Sequence, residues 1–217
     1  MKKKLALMVY PNFSMQEIAS ICGLFKWQFD SETVVFSSSL EEVNAEEGLL
    51  VKPHKTFDEF SAEDYDCLIL PGCSDFSEAI RNPKIKNFLQ QFNENDSFII
   101  GAICAGPLFL AQAGLLSNKK FINSLFVEIN EMFSFINEEN LVYQPVVEDG
   151  NIITAVGSAF NEFAVAVARK LGYDCPDSIY TGITSEKLRD ESFFKQHLPE
   201  EYLLEIRTEF ADFISNN

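Results

Sequence analysis

A short apolar run, a glycine-flanked cysteine and a helical pattern follow one another in the middle of this chain. Phe98 to Ile100 predict a buried strand, and Leu108 to Ala113 predict the start of a helix. Between them lies Gly-Ala-Ile-Cys-Ala-Gly, in which we expect Gly101 and Gly106 to allow a sharp turn. Such a junction is typical of a nucleophile elbow, which presents one side chain at the carboxyl end of a strand.

Cys104 is the side chain that this elbow would present. The N-terminus of the following helix would favour its thiolate, because backbone N–H groups and the helix dipole stabilise negative charge there. We therefore interpret Cys104 as a candidate nucleophile. The alternative is a small buried cysteine that fills a gap beside the turn.

Strands and helices alternate along most of the chain. Further strands are predicted at Leu5–Tyr10, Thr33–Ser37, Gly48–Val51, Tyr65–Gly72, Leu141–Tyr143 and in a hairpin over Val146–Ile153 with Asp149–Gly150 as its turn. Further helices are predicted at Met15–Phe29, Pro83–Phe92 and Ser158–Leu171, the last with Ser158 as N-cap and Gly172 as its stop. This alternation predicts an α/β fold with a mostly parallel sheet covered on both faces. Ligands of such sheets bind at the carboxyl ends of the strands, where Tyr10, Gly72 and Cys104 all fall.

The pattern changes after Tyr173. Residues 174–217 carry a helix start at Thr184–Lys187, a proline typical of a first helical turn at Pro199, and an apolar stripe of helical spacing. The stripe consists of Leu203, Ile206, Phe210, Phe213 and Ile214. We expect an α/β domain over residues 1–173 and a helical C-terminal extension over residues 174–217. The extension should pack on the core, on a partner subunit or over the site.

Charge and composition argue against several classes of partner. The 217 residues carry a formal net charge of -16 at pH 7, which argues against nucleic acid and anionic membranes. No apolar run approaches membrane-spanning length. The lysine-rich start imitates a secretory signal, but its apolar part stops at Pro11. The five cysteines are odd in number and lack metal-type spacing, so we expect reduced thiols, no metal and a cytoplasmic protein.

Three segments resemble the ThiJ/PfpI family, which includes the parkinsonism-associated deglycase and belongs to the class I glutamine amidotransferase-like superfamily. They are Tyr10–Glu17, Leu68–Gly72 and Ala102–Pro107, and the segments Glu148–Gly150 and Gly157–Ser158 also match. The resemblance covers residues 4–172. It implies a flavodoxin-like three-layer sandwich, usually a homodimer, with Cys104 as the reactive cysteine.

The resemblance also assigns roles to three other residues. Glu17 matches the family's acidic residue that hydrogen-bonds the cysteine sulfur. A carboxyl beside a thiolate should stay protonated, and it could relay a proton during turnover. Gly72 and Ala105 match the positions whose backbone N–H groups form an oxyanion hole. The alternatives are a solvated first-turn glutamate at Glu17 and nothing more than a tight turn at Gly72.

The chain departs from the family where many members have a histidine. Ala105 directly follows the cysteine, and residues 120–125 contain no histidine either. His54 precedes the site and His197 lies in the extension, so we interpret both as surface residues. A Cys–His–acid triad therefore lacks its general base, which disfavours proteolysis and glutaminase activity.

Three more residues are candidates for the lining of the site. Asn123 and Ser124 would supply polar groups in the space where a histidine is missing. Cys73 stands where the family often has a glycine, and it could resolve a sulfenic acid on Cys104 by forming a disulfide. The alternative, which we favour, is a small turn residue that points away from the pocket.

Two functional classes follow from these residues. The first is a cofactor-independent enzyme in which Cys104 attacks a small electrophile: a reactive aldehyde such as a 2-oxoaldehyde, an amide or an isonitrile. The second is a non-turnover redox or stress sensor, in which Cys104 is oxidised to a sulfinate held by Glu17. The expected partners are a small-molecule substrate or an oxidant, and a second copy of the chain.

Overall fold

The computed structural model of the protein describes residues 2–180 and Thr208. Its strands are β1 (Lys4–Met8), β2 (Glu32–Ser37), β3 (Val43–Asn44), β4 (Leu50–Val51), β5 (Lys55–Thr56), β6 (Cys67–Leu70), β7 (Ile99–Ile103), β8 (Val146–Asp149) and β9 (Ile152–Ala155). Its α-helices are α1 (Gln16–Phe29), α2 (Pro83–Gln90), α3 (Gly106–Gln112), α4 (Val127–Met132) and α5 (Phe160–Lys170).

The main sheet has seven strands in the order β5-β2-β1-β6-β7-β9-β8. Every neighbouring pair is parallel except β9 and β8, which form the hairpin at one edge. The central strands β1, β6 and β7 are apolar and largely buried, as a parallel sheet covered on both faces requires. Helix α1 packs against α5, and α2 packs against α3. The predicted flavodoxin-like α/β fold is confirmed.

Two predicted details near the end of the sheet are wrong. Residues Gly157–Ala159 form a 3-10 turn, so α5 begins at Phe160 and Ser158 is not its N-cap. The hairpin is present, but Asp149 belongs to β8, and the two residues between the strands are Gly150 and Asn151. The turn lies one residue later than predicted because Asp149 pairs with the first residue of β9.

Helix α4 and its surroundings do not follow the apolar pattern from which strands and helices are predicted. This helix exposes Val127 and Met132 but buries Asn130, which inverts the usual amphipathic arrangement. Leu141, predicted to begin a strand, makes only an isolated bridge to Phe121. Both deviations occur in the long connection between α3 and β8, which lies beside the elbow.

Part of the predicted helical extension lies within the described residues. Asp177–Tyr180 form a 3-10 turn. The predicted helix starts at Thr184 and Pro199, the stripe from Leu203 to Ile214, and His197 lie outside the described residues. Across residues 2–180 and Thr208, no helix has the length and apolar character needed to cross a membrane.

Candidate active site

Cys104 lies in a strained turn between β7 and α3. Its φ of 59° falls in the left-handed region, which residues with a Cβ rarely adopt. Its N–H donates to the carbonyl of Ala155 on the neighbouring strand at 2.8 Å. A Cβ on Gly106 would stand 2.8 Å from the carbonyl oxygens of both Leu70 and Pro71. The turn therefore needs a glycine at this position, and the predicted elbow is present.

Gly101 has a different role from the one predicted. It lies within β7 rather than in the turn. A Cβ there would stand 2.8 Å from Cζ of Phe163 and 3.0 Å from Cδ1 of Ile69. Gly101 therefore lets the Phe163 ring of α5 approach the sheet closely, and it contributes no freedom to the elbow.

Glu17 lies in the first turn of α1 and is buried, with 8% of its surface exposed. Its Oε2 accepts a hydrogen bond from the Gly72 N–H at 2.6 Å, and the Cys104 thiol beside it lowers the pKa of the carboxyl. A Cβ on Gly157 would stand 2.8 Å from Glu17 Oε1 and 3.1 Å from Cys104 Sγ. The structure thus brings the acid and the cysteine together, and Glu17 is not a solvated first-turn residue.

The electrostatics of this pair are governed by burial. Burial raises the pKa of the Glu17 carboxyl, and the charges of Glu46 and Glu47 raise it further. Burial also raises the pKa of the Cys104 thiol, as does an ionised Glu17 beside it. The raised thiol pKa runs against the expectation that the N-terminus of α3 makes Cys104 unusually acidic. Since two anions are disfavoured in this space, ionisation of either group opposes ionisation of the other.

The peptide N–H groups of Gly72 and Ala105 are directed at this pair. The Gly72 N–H binds the Glu17 carboxyl, and the Ala105 N–H beside the Cys104 sulfur lowers the pKa of the thiol. A Cβ on Gly72 would stand 2.4 Å from Cys104 Cβ and 2.6 Å from the nitrogen of Ala105. A glycine is therefore required at position 72 because the backbone there lies directly against Cys104 and Ala105. A tight turn alone would not impose this requirement.

Ser124, one of the two predicted polar lining residues, contacts Cys104. Its N–H donates to the Cys104 carbonyl at 3.0 Å, and its Oγ accepts from the Gly157 N–H at 2.8 Å. Its hydroxyl also lowers the pKa of the Cys104 thiol. Asn123, by contrast, is buried and exchanges amide hydrogen bonds with Asn130 at 2.8 and 3.4 Å. Asn123 thereby fastens α4 to the loop that carries Ser124.

Cys73 follows the glycine that contacts Glu17 and is buried. Its thiol hydrogen-bonds the Tyr10 hydroxyl, and burial raises the pKa of this thiol to about 12. The Tyr10 hydroxyl itself donates to the carbonyl of Pro71. Cys73 is therefore held against Tyr10, an arrangement that suits the small turn residue better than a reactive thiol.

The described residues bring no histidine to the elbow. His54 lies beside β2. Its ring Nδ1 accepts a hydrogen bond from the Val35 N–H at 2.9 Å, and its backbone N–H donates to the Val35 carbonyl. His197 is outside the described residues. In the described part of the chain, no group of three or more His, Cys, Asp or Glu side chains is placed to hold a metal ion.

Two glutamates that sequence reasoning missed lie near the pair. Glu47 accepts hydrogen bonds from the Ser14 hydroxyl and from two N–H groups at the start of α1, at 2.9–3.0 Å. It therefore caps the helix that carries the acid, because that helix has no side-chain cap of its own. Glu46 accepts from the N–H and hydroxyl of Ser74 at 2.7 Å. In the sequence, two adjacent glutamates indicate only a polar loop. Nothing near them in the chain indicates which groups their carboxylates bind.

Known proteins resemble this chain in sequence and in fold. The sequence model of the DJ-1/PfpI family matches residues 3–170. A Bacillus subtilis protein named uncharacterized protease YoaZ is 31% identical over 148 residues, which are 68% of this chain and 70% of that protein. Deglycase PfpI of Pyrococcus furiosus is 29% identical over 127 residues, which are 56% of this chain and 72% of that protein.

A solved structure shows the same fold. A DJ-1 superfamily protein from Agrobacterium tumefaciens superposes with a TM-score of 0.72 at 24% identity, and the match covers 81% of this chain and 93% of that one. The family match spans α1 with its acid, the elbow and the strands that flank it. The chain belongs to the DJ-1/PfpI family.

Proposed function

We propose that the protein is a cysteine-dependent enzyme that acts on a small electrophile through Cys104 and Glu17. The observation that carries this proposal is the buried Glu17 carboxyl, whose Oε1 lies beside the Cys104 sulfur against Gly157. A nucleophile needs a nearby group that manages its proton, and Glu17 is the titratable group so placed. The expected substrates are reactive aldehydes such as 2-oxoaldehydes, amides or isonitriles.

An aldehyde illustrates the chemistry that these residues can perform. The Cys104 sulfur forms a bond to the aldehyde carbon, and the electron pair of the C=O bond moves to oxygen. Glu17 gives its proton to that oxygen, which yields a hemithioacetal and leaves a carboxylate ready to accept the next proton. The Ala105 N–H beside the sulfur would stabilise negative charge on the oxygen as it develops, whereas the Gly72 N–H is engaged by Glu17 Oε2 and instead holds the acid in place.

Peptide and glutamine hydrolysis are less well supported by the same geometry. Both need a base that takes the nucleophile's proton and then protonates a poor amine leaving group, a task that suits an imidazole. In residues 2–180, His54 lies at the β2 edge instead of the elbow. We therefore do not propose for this chain the protease activity that the name of the Bacillus relative suggests.

Turnover assays with a matched inactive variant test the enzyme. Purified protein is offered a 2-oxoaldehyde, a simple amide and an isonitrile, and consumption is compared with that of Cys104→Ala. We expect at least one class to be consumed by the wild type alone. The proposal fails if no class is consumed faster than in the variant.

A redox sensor is the second candidate, favoured by the donors around the sulfur. The Ala105 N–H and the Ser124 hydroxyl both lower the pKa of the Cys104 thiol, and a protonated Glu17 would add a third donor. Two molecules of hydrogen peroxide would each give one oxygen atom to the thiolate and leave as water, producing a sulfinate. These donors would then bind the sulfinate oxygens.

Peptide mass spectrometry after mild peroxide treatment tests the sensor. We expect the Cys104 peptide to gain the mass of two oxygen atoms before the peptides of Cys22, Cys67 and Cys73. An unmodified Cys104 in a sample whose other thiols are oxidised rejects this function.

We also propose that the protein is a cytoplasmic homodimer. Several large apolar side chains on the described surface are exposed, as is common where subunits meet. They include Trp27 at 83%, Phe126 at 78%, Met132 at 72% and Tyr143 at 76%. Light scattering coupled to gel filtration should give twice the mass of one chain, and a monomer at all protein concentrations contradicts the proposal.

A further inference from the structure

Ser124 is attached to the elbow at two points. Its N–H donates to the Cys104 carbonyl at 3.0 Å, and its Oγ accepts from the Gly157 N–H at 2.8 Å. Both partners are backbone groups of segments that border the Cys104 sulfur. The serine is itself exposed, whereas Glu17, Gly72 and Ala105 beside the half-buried cysteine are buried.

The bond from Gly157 fixes the direction of the serine proton. A hydroxyl has one hydrogen and two lone pairs, and the Gly157 N–H occupies one of those lone pairs. The hydrogen must therefore point away from that N–H. The Cys104 sulfur lies close by, 3.1 Å from the point where a Cβ of Gly157 would stand. The hydroxyl thus has the sulfur within its reach, and this contact lowers the pKa of the thiol.

We propose that Ser124 donates its hydroxyl hydrogen to the Cys104 sulfur, from a position separate from that of Glu17, and thereby sets how readily the thiolate forms. The inference rests on Cys104 as the reacting sulfur of the proposed function and does not depend on which substrate is used. Glu17 supplies the proton that moves, whereas Ser124 supplies a fixed donor that stays protonated. Ser124 cannot replace a histidine as general base, because an alcohol does not give up its proton near neutral pH.

This assignment gives a physical reason for a hydroxyl at this position. Burial opposes the thiolate, and a hydrogen bond to a charged acceptor is about twice as strong as one between neutral groups. A hydroxyl that donates to the sulfur would stabilise the thiolate and so offset part of the effect of burial.

The test measures the Cys104 thiol directly, with no substrate involved. The pH dependence of alkylation by iodoacetamide, followed on the Cys104 peptide by mass spectrometry, gives the pKa of this thiol. Ser124→Ala should raise this pKa by about one pH unit and slow alkylation at pH 7 by roughly tenfold. The control is Ser117→Ala, whose hydroxyl donates to the Gly114 carbonyl and which should titrate as the wild type does.

A purely structural role for Ser124 makes a different prediction. If Ser124 only holds its loop, Ser124→Ala changes thermal stability and leaves the Cys104 titration unchanged, which overturns the proposal. If that variant does not fold, Ser124→Thr and Ser124→Val give a pair of nearly equal shape in which only threonine keeps the hydroxyl. A lower thiol pKa in the threonine variant supports the donor, and equal titrations reject it. Absence of turnover with every substrate would reject the proposed enzyme while leaving this titration measurable.

Discussion

Glu17 Oε1 and Cys104 Sγ meet at the face of Gly157, 2.8 and 3.1 Å from the point where a Cβ of that glycine would stand. The acid and the thiol therefore share one small space, which leaves no room for a side chain at position 157. Their charges are coupled there, because ionisation of either group opposes ionisation of the other. Substitutions at Glu17 therefore test proton transfer between the two groups, and substitutions at Gly157 test the steric fit around them.

Glu17→Gln should keep a reactive thiol and abolish turnover. Glutamine can still accept the Gly72 N–H and can donate an N–H to the sulfur, but it cannot release a proton near neutral pH. We expect kcat/KM to fall by about 100-fold or more, in line with the loss of a general acid. Alkylation of Cys104 by iodoacetamide at pH 7 should change by less than about threefold, because the sulfur keeps a donor.

Glu17→Ala provides the comparison for that variant. It removes both the proton and the donor, so alkylation should also slow, by roughly tenfold. A Glu17→Gln enzyme with wild-type kcat/KM would show that no proton passes through Glu17.

Gly157→Ala should disturb the pair without changing its chemistry. The added methyl group would press on Glu17 Oε1 and Cys104 Sγ, and we expect a loss of about 1–3 kcal/mol in the free energy of unfolding. Turnover should fall with it. Gly23→Ala is the control, since a Cβ there stands 3.4 Å from the exposed ring of Trp27. That variant should keep activity and gain about 0.5–1 kcal/mol of stability in urea unfolding.

The sheet and the elbow were predictable because they depend on local patterns. Short apolar strands and a cysteine preceding Gly106 carry their signal within about ten residues, the range over which periodicity operates. Glu17 was assigned through the family resemblance, since a first-turn glutamate has no local feature that predicts its burial. Helix α4 was missed because it buries Asn130 and exposes Met132, against the pattern on which prediction relies.

The remaining parts of the site depend on contacts between segments distant in the chain. Glu47 caps a helix that begins 31 residues earlier, and the Ser124 hydroxyl is oriented by Gly157, 33 residues later. Gly157 itself is needed because two other segments approach it, which no property of its neighbours in sequence indicates. Such contacts exist only once the sheet has brought its carboxyl ends together.

The stability of the protein should depend on pH through Glu17. Burial raises the pKa of this carboxyl above its ordinary value, so the folded protein binds the proton more tightly than the unfolded chain does. The resulting stabilisation is present below the ordinary carboxyl pKa and is lost as the pH rises through the raised folded value. Glu17→Gln cannot ionise, so the wild type should lose stability relative to this variant as the pH rises. Urea unfolding at several pH values measures this, and parallel stability curves would contradict it.

Glu47→Gln should show the opposite dependence on pH. Although burial acts the other way, hydrogen bonds from Gln16, Met15 and Ser14 hold the pKa of Glu47 below its ordinary value. Its stabilising effect is therefore present above the ordinary carboxyl pKa and is lost as the pH falls through the folded value. We expect a loss of about 1 kcal/mol near neutral pH, as for other helix caps, and a smaller loss in acid. The exposed Glu63→Gln serves as control in the same unfolding measurements, and equal losses in both variants would exclude a capping role.

Cys73 should not form a disulfide with Cys104. To resolve a sulfenic acid on Cys104, the Cys73 thiolate would attack its sulfur and expel hydroxide, which takes up a proton from solvent to become water. Burial raises the pKa of Cys73 to about 12, and its thiol is hydrogen-bonded to Tyr10, so the attacking thiolate is scarce near neutral pH. Peptide mapping of folded protein after mild peroxide should therefore find no peptide that links the two cysteines, and Cys73→Ser should oxidise at Cys104 at the wild-type rate. A Cys73–Cys104 link that forms in the folded wild type would contradict this prediction and establish Cys73 as the resolving thiol.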